Sequence, residues 1–244
     1  MGTKMRIAQI APLTEAVPPK LYGGTERVVS WLTEALVEQG HDVTLFASGD
    51  SVTAAKLEPM WPRALRLDGA IPRSECPAGA DARTCGALRT EIRPLLACGG
   101  VEFIGEIGDG EKAQFLSGAL ALLVPIDWPE PFGLVMIEAM ACGTPVLAFK
   151  GGSVPEIVEH GLTGAIVENV EEAITAMPLV IALDRKKVRQ RFVQRFSATR
   201  MANDYFDLYR SLLNSARSLA GEDRNTRHRS PESKHANYPK LHAV

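Results

Sequence analysis

The run DWPEPFGLVMIEAMACGTPVLAFK, residues 127–150, constrains this chain more than any other part of it. Pro131, Phe132 and Gly133 mark a turn, because proline presets its own φ and glycine accepts backbone angles closed to other residues. Residues 134–141 (LVMIEAMA) are then mostly good helix formers,. Gly143, Thr144 and Pro145 stop that helix, and residues 146–149 (VLAF) form a short apolar strand,. A helix that ends in glycine and leads into an apolar strand is the building unit of an α/β protein.

Two carboxylates bracket the turn: Glu130 and Glu138 stand eight residues apart. A helix starting near Phe132 or Gly133 has free amides and a positive dipole end, which together make an anion site. Glu130 then lies just before that site, and Glu138 roughly 7–8 Å further along at 1.5 Å per residue. A ligand with a negative centre and hydroxyls on both sides fits this layout: a sugar, a diphosphate and a ribose. The alternative is one surface acid before a turn and another on a solvated helix face, the ordinary place for glutamate.

The start of the chain repeats the α/β theme. Residues 5–10 (MRIAQI) read as a buried parallel strand,. Val28, Val29, Leu32, Ala35 and Leu36 have helical spacing, with Thr25 as a candidate cap and Gly40 as the stop,. Residues 43–48 (VTLFAS) are a second strand, so the unit is strand, helix, strand with Gly23 and Gly24 at the helix entrance,. Those glycines either admit a phosphate or substrate to the backbone or simply permit a turn. His41, at the other end of the helix, reads as structural. Residues 51–68 are less regular, and residues 69–88 have neither helical nor strand periodicity,. Order returns with a strand over 101–107, a helix over 111–118, a buried strand (LALLVPI) before the turn, a short helix in VPEIVEHG, a last strand in LTGAIV and helices from 170, over 185–196 and over 198–213. His160 reads as a helix-end residue, and the polar tail from Gly221 reads as disordered,.

Glu130, Pro131, Phe132, Gly133, Glu138, Ala139, Gly143, Thr144 and Pro145 together resemble the donor-binding motif of the family 4 retaining glycosyltransferases, the group 1 enzymes with two Rossmann-like domains. The segment YGGTERVVSWLTEALVEQGHDVTLFA resembles the first unit of the same family. The resemblance implies an α/β fold of the GT-B type: Rossmann-like parallel sheets with helices on both faces, here with an incomplete N-terminal domain. The implied division is a partial acceptor-side domain over 1–68, an irregular linker or deletion junction over 69–100, a nucleotide-sugar-binding domain over 101–215 and a polar tail over 216–244. Glu130 would be the catalytic residue facing the donor sugar, the Phe132 and Gly133 amides would meet the diphosphate, and Glu138 the ribose hydroxyls. Gly151, Gly152 and Ser153 form the loop that lies by the nucleotide in the family, and Gly23 and Gly24 would contact phosphate or acceptor.

The implied activity is transfer of a sugar, with retention, from a nucleotide-sugar such as UDP-glucose to an unknown acceptor. The alternative is a truncated, catalytically impaired nucleotide-binding module of the same family. The family's Arg and Lys that neutralise the diphosphate, and its N-terminal histidine, have no counterpart here; Arg83, Arg89 and Arg93 stand in a different context. An oxidoreductase using a nicotinamide cofactor would need GxGxxG at the first turn, which instead reads KLYGGTE,.

A net charge of -2 gives no sign of a nucleic-acid partner,. The longest apolar run, 119–126, is too short to span a bilayer,. The first residues read as a start leading into a strand rather than as a secretion signal, and four cysteines without paired spacing suggest neither a metal site nor a disulfide framework,. The expectation is therefore a reduced, cytoplasmic protein with no cofactor beyond its donor, and with an open sheet edge through which two copies could pair.

Overall fold

The computed structural model describes residues 4–20, 23–67, 99–102, 104–105 and 107–226, with side chains described to 216. The expectations for 69–98, including Arg83, Arg89, Arg93 and three of the cysteines, lie outside the described residues, as does the tail from 227. The chain forms two compact units, Met1–Ala202 and Asn203–Val244.

Among its described residues the first unit carries two three-stranded parallel sheets. In the first sheet, β1 (Arg6–Ile10) is joined through helix α1 (Gly24–Glu38) to β2 (Asp42–Ser48), and β3 (Lys56–Trp61) lies beyond β2 in the order β1-β2-β3. The helical spacing seen in the sequence is the packing face: Leu32, Ala35 and Leu36 are buried against Val43 and Ala202. Gly23, not Thr25, takes the N-cap position of α1. His41 accepts the Met5 amide at 3.4 Å, which ties the end of α1 to the start of β1.

One expectation for this sheet needs correction. β1 is parallel, but it is not a buried strand: its residues alternate between exposed and half-buried, and Ile10 is 79% exposed. Among the described residues only β2 lies beside it. Within the less regular stretch 51–68, β3 is a strand that includes Pro59. Among the described residues it is the last strand of its sheet, where a proline's missing N–H can face away from the ladder.

In the second sheet, α2 (Asp109–Gly118) precedes β4 (Leu122–Val124), followed by α3 (Leu134–Ala141), β5 (Val146–Phe149), α4 (Val154–Ile157) and β6 (Gly164–Val167), with strand order β4-β5-β6. Residues 101, 102, 104, 105 and 107, expected to be strand, carry none. The core joins Met136, Ile137 and Met140 of α3 to Val146 and Ala148 of β5 and to Val188 of α6 (Arg185–Phe196). Helix α5 (Val170–Ile181) covers the other face, with Val180 buried against Leu147, Ala165 and Val167. Parallel sheets with helices on their faces are the expected α/β architecture. His160 is structural, accepting the Ile166 amide at 3.2 Å.

Helix α7 spans Ala198–Thr226, so residues 221–226, expected to be disordered, are helical. Within the second unit the rings of Tyr205 and Tyr209 lie one turn apart, tilted, with centroids 5.9 Å apart. No described helix is long and apolar enough to cross a membrane.

Candidate functional site

The 127–150 segment folds as its sequence dictates. Gly133 adopts a left-handed conformation (φ +74), caps α3 and delivers the chain into the helix at Leu134. Glu130 folds back over this turn: its Oε1 accepts the Gly133 amide at 3.1 Å, and its Oε2 accepts the Trp128 indole N–H at 3.2 Å. The carboxylate is thus fixed at the N-terminus of α3, where the helix dipole favours negative charge. The Gly133 amide, expected to face a ligand, is committed to Glu130.

A second loop holds this turn in place. The Ser153 amide donates to the Glu130 carbonyl at 3.0 Å, and the Ser153 hydroxyl donates to the Phe132 carbonyl at 2.8 Å. Gly152 lies against the Glu130 backbone so closely that a Cβ there would stand 2.3 Å from the Glu130 carbonyl oxygen. Gly151 comes near the Trp128 carbonyl in the same way, at 3.7 Å. Phe132 remains 42% exposed at the mouth of the turn.

Glu138 lies one turn into α3 and accepts the Lys112 ammonium of α2 at 3.0 Å. Lys112 also pairs with Asp109 at 3.4 Å, and Asp109 pairs with Arg27 of α1 at 2.8 Å. Burial raises the Asp109 carboxyl, but Arg27 and Lys112 outweigh it and hold the group below the ordinary aspartate range. This chain of four charges crosses from the first sheet's helix to the second's. Gly24 meets α3 directly, since a Cβ at that position would be 3.6 Å from Leu134 Cδ1. Gly23 is enclosed by acids instead: its Cβ position is 2.7 Å from Glu26 Oε2 and 3.3 Å from Glu15 Cγ.

The fold therefore brings Gly24, Glu130, Phe132, Gly133 and Glu138 to one seam, with Gly151, Gly152 and Ser153 directly behind the turn. Sequence reasoning missed Arg27, Asp109 and Lys112. The i, i+3 spacing of Asp109 and Lys112 was visible, but Lys112 and Glu138 are 26 positions apart and only packing joins them. Arg185 secures that packing by donating to the Ser117 and Ala119 carbonyls and to the Thr144 hydroxyl at 2.6–2.8 Å. An apolar groove of about 510 Å³ lies elsewhere, between β4, β5 and α5, and contains none of the candidate residues. Among the described residues no three His, Cys, Asp or Glu side chains converge as a metal site would require.

Residues 87–196 match the family described as Glycosyl transferases group 1. An alpha-maltose-1-phosphate synthase of Mycobacterium tuberculosis is 33% identical over 117 residues, 42% of this chain and 30% of that protein. A D-inositol 3-phosphate glycosyltransferase of Actinosynnema mirum is 42% identical over 91 residues, 37% of this chain and 22% of that protein. The chain thus spans less than a third of the length of these relatives. The crystal structure of AviGT4, a glycosyltransferase involved in Avilamycin A biosynthesis, superposes with a TM-score of 0.60 at 19% identity, covering 86% of this chain and 98% of that one. At that identity the likeness is one of fold, and it agrees with the parallel-sheet architecture above. The matched residues 87–196 contain both glutamates and the turn between them, so it is this part of the chain that is similar to the group 1 glycosyl transferases.

Proposed function

We propose that this chain binds a nucleotide-sugar, such as UDP-glucose, at the N-terminus of α3 and transfers its sugar with retention to a hydroxyl acceptor. The observation that carries the reading is the fixed Glu130 carboxylate, held by Trp128 and Gly133 and lying ahead of Glu138 on one short helix. Glu130 faces the sugar, the α3 N-terminus with Phe132 faces the diphosphate, and the second oxygen of Glu138 accepts a ribose hydroxyl. Gly24 lies where the acceptor or a phosphate would approach. Gly151, Gly152 and Ser153 act on the nucleotide site by holding the Glu130 turn. The relatives' names, a maltose-phosphate synthase and an inositol-phosphate glycosyltransferase, support glycosyl transfer as the reaction class.

In this reaction the bond from the sugar's anomeric carbon to the diphosphate oxygen breaks, and a bond from that carbon to the acceptor oxygen forms on the same face. The acceptor proton leaves with the departing phosphate, so no protein nucleophile is required. Stabilising the charge that develops on the leaving group is the main demand on such a site.

A second reading is a nucleotide-sugar-binding module without turnover. The Gly133 amide, bonded to Glu130 and so not free for a leaving phosphate, favours it. UDP release from UDP-glucose by the purified chain separates the two. Release that falls on Glu130→Ala supports the transferase; saturable UDP binding without release supports the module; neither binding nor release contradicts both.

A further inference from the structure

We propose that Arg27 and Lys112 form an anion-exchange site in which the Asp109 carboxylate is a resident counter-ion that a phosphoanion ligand displaces. The two cations come from different helices, α1 and α2, and meet on one carboxylate at 2.8 and 3.4 Å. Their exposures identify the mobile partner. The Arg27 side chain is 19% exposed and that of Lys112 31%, whereas that of Asp109 is 60% exposed. The fold thus holds the cations, and the acid between them can swing into water at little cost, as exposed ion pairs contribute little.

A phosphate group carries more charge than a carboxylate and presents several acceptor oxygens, so it makes more charge-assisted bonds with a guanidinium and an ammonium at once. Gly24 places the N-terminus of α1 against the first residue of α3, whose own N-terminus already holds the Glu130 carboxylate,. Lys112 keeps its bond to Glu138 during the exchange, which would leave one ammonium bridging a phosphate and the glutamate assigned to ribose. The diphosphate of the proposed donor is the phosphoanion in question, so this inference rests on the nucleotide-sugar reading for its ligand but not for its charges.

The test is calorimetric titration of the full chain with inorganic pyrophosphate and, separately, with UDP. Asp109→Asn is expected to tighten pyrophosphate binding by up to about fivefold, the upper range for one exposed ion pair, while Arg27→Gln and Lys112→Gln weaken it. An Asp109→Asn chain that binds pyrophosphate no better than the parent overturns the proposal, as does a failure of every variant to bind it. NMR titration of the unmodified chain gives a readout independent of variant folding: pyrophosphate must shift both the Arg27 and the Lys112 side-chain resonances, and unmoved resonances overturn the exchange. UDP binding equally to all variants would also overturn it while leaving the nucleotide reading intact. Pyrophosphate responding as expected, with UDP adding no affinity over it, would support the exchange and remove the nucleotide.

Discussion

Replacing Gly152 with alanine adds one methyl group at the point where the 151–153 loop touches the Glu130 backbone. At φ +46 the residue sits in the left-handed region, which costs an alanine about 1–2 kcal/mol,. The added Cβ would also stand 2.3 Å from the Glu130 carbonyl oxygen, 2.5 Å from its nitrogen and 2.8 Å from the Pro129 carbonyl carbon. These are backbone atoms and cannot rotate away, so the turn itself must move; such overpacking costs about 1–3 kcal/mol more. The sum is about 2–5 kcal/mol, and its lower end alone corresponds to a fall of about 4–8 °C in Tm for a domain of this size. Gly161 supplies the control. It too has positive φ (+79), but nothing lies within 4 Å of its Cβ position, so Gly161→Ala should cost only the backbone part. Thermal melts followed by circular dichroism measure both. Equal losses in the two variants would refute the claim that the 151–153 loop braces the Glu130 turn.

Thr144 is fully buried, with its hydroxyl donating to the Leu116 carbonyl at 2.6 Å and accepting from Arg185 at 2.8 Å. Thr144→Val strands both partners and should cost about 1–3 kcal/mol in urea unfolding; an unchanged midpoint would contradict the bonded geometry. Burial raises the Glu159 carboxyl, but Arg191 and Arg195 outweigh this and hold it below the usual glutamate range. A depressed folded value means that its contribution is present above the unfolded pKa of about 4.3 and is lost as pH falls through the folded one. Glu159→Gln should therefore flatten the acid limb of the stability profile below about pH 4, and an equally steep limb would speak against the pairing. Glu138→Ala should weaken UDP binding by about 1–3 kcal/mol, whereas Glu130→Ala should affect a sugar nucleotide more than bare UDP; equal losses of both ligands on Glu130→Ala would undo the division of roles.

The parts of this fold legible in the sequence were those set by neighbours along the chain. Helix Leu134–Ala141 and strand Val146–Phe149 were readable to the residue, because Gly133 and the Gly143-Thr144-Pro145 stop are local signals. Helix Arg185–Phe196 was equally clear, with Asp184 accepting the Lys186 amide as its cap. What depended on lateral neighbours was not readable. Among the described residues β1 and β3 stand at the two ends of their sheet, which accounts for the exposure of β1 and for Pro59 in β3. The same limit applies at the site. Glu130 and Glu138 announced themselves by spacing, but the Lys112 partner of Glu138 and the Arg27 partner of Asp109 arise only when helices pack. Gly152 showed its sequence signature as a loop glycine; its contact with Glu130 required the fold.

The central claim is that the turn between Glu130 and Glu138 recognises a nucleotide-sugar, and titration of the purified chain with UDP-glucose tests it most directly. UDP-glucose should bind saturably at one site per chain, more weakly to Glu130→Ala and Glu138→Ala in chains that melt as the parent does. Absence of binding, or binding that both substitutions leave untouched, would contradict the claim.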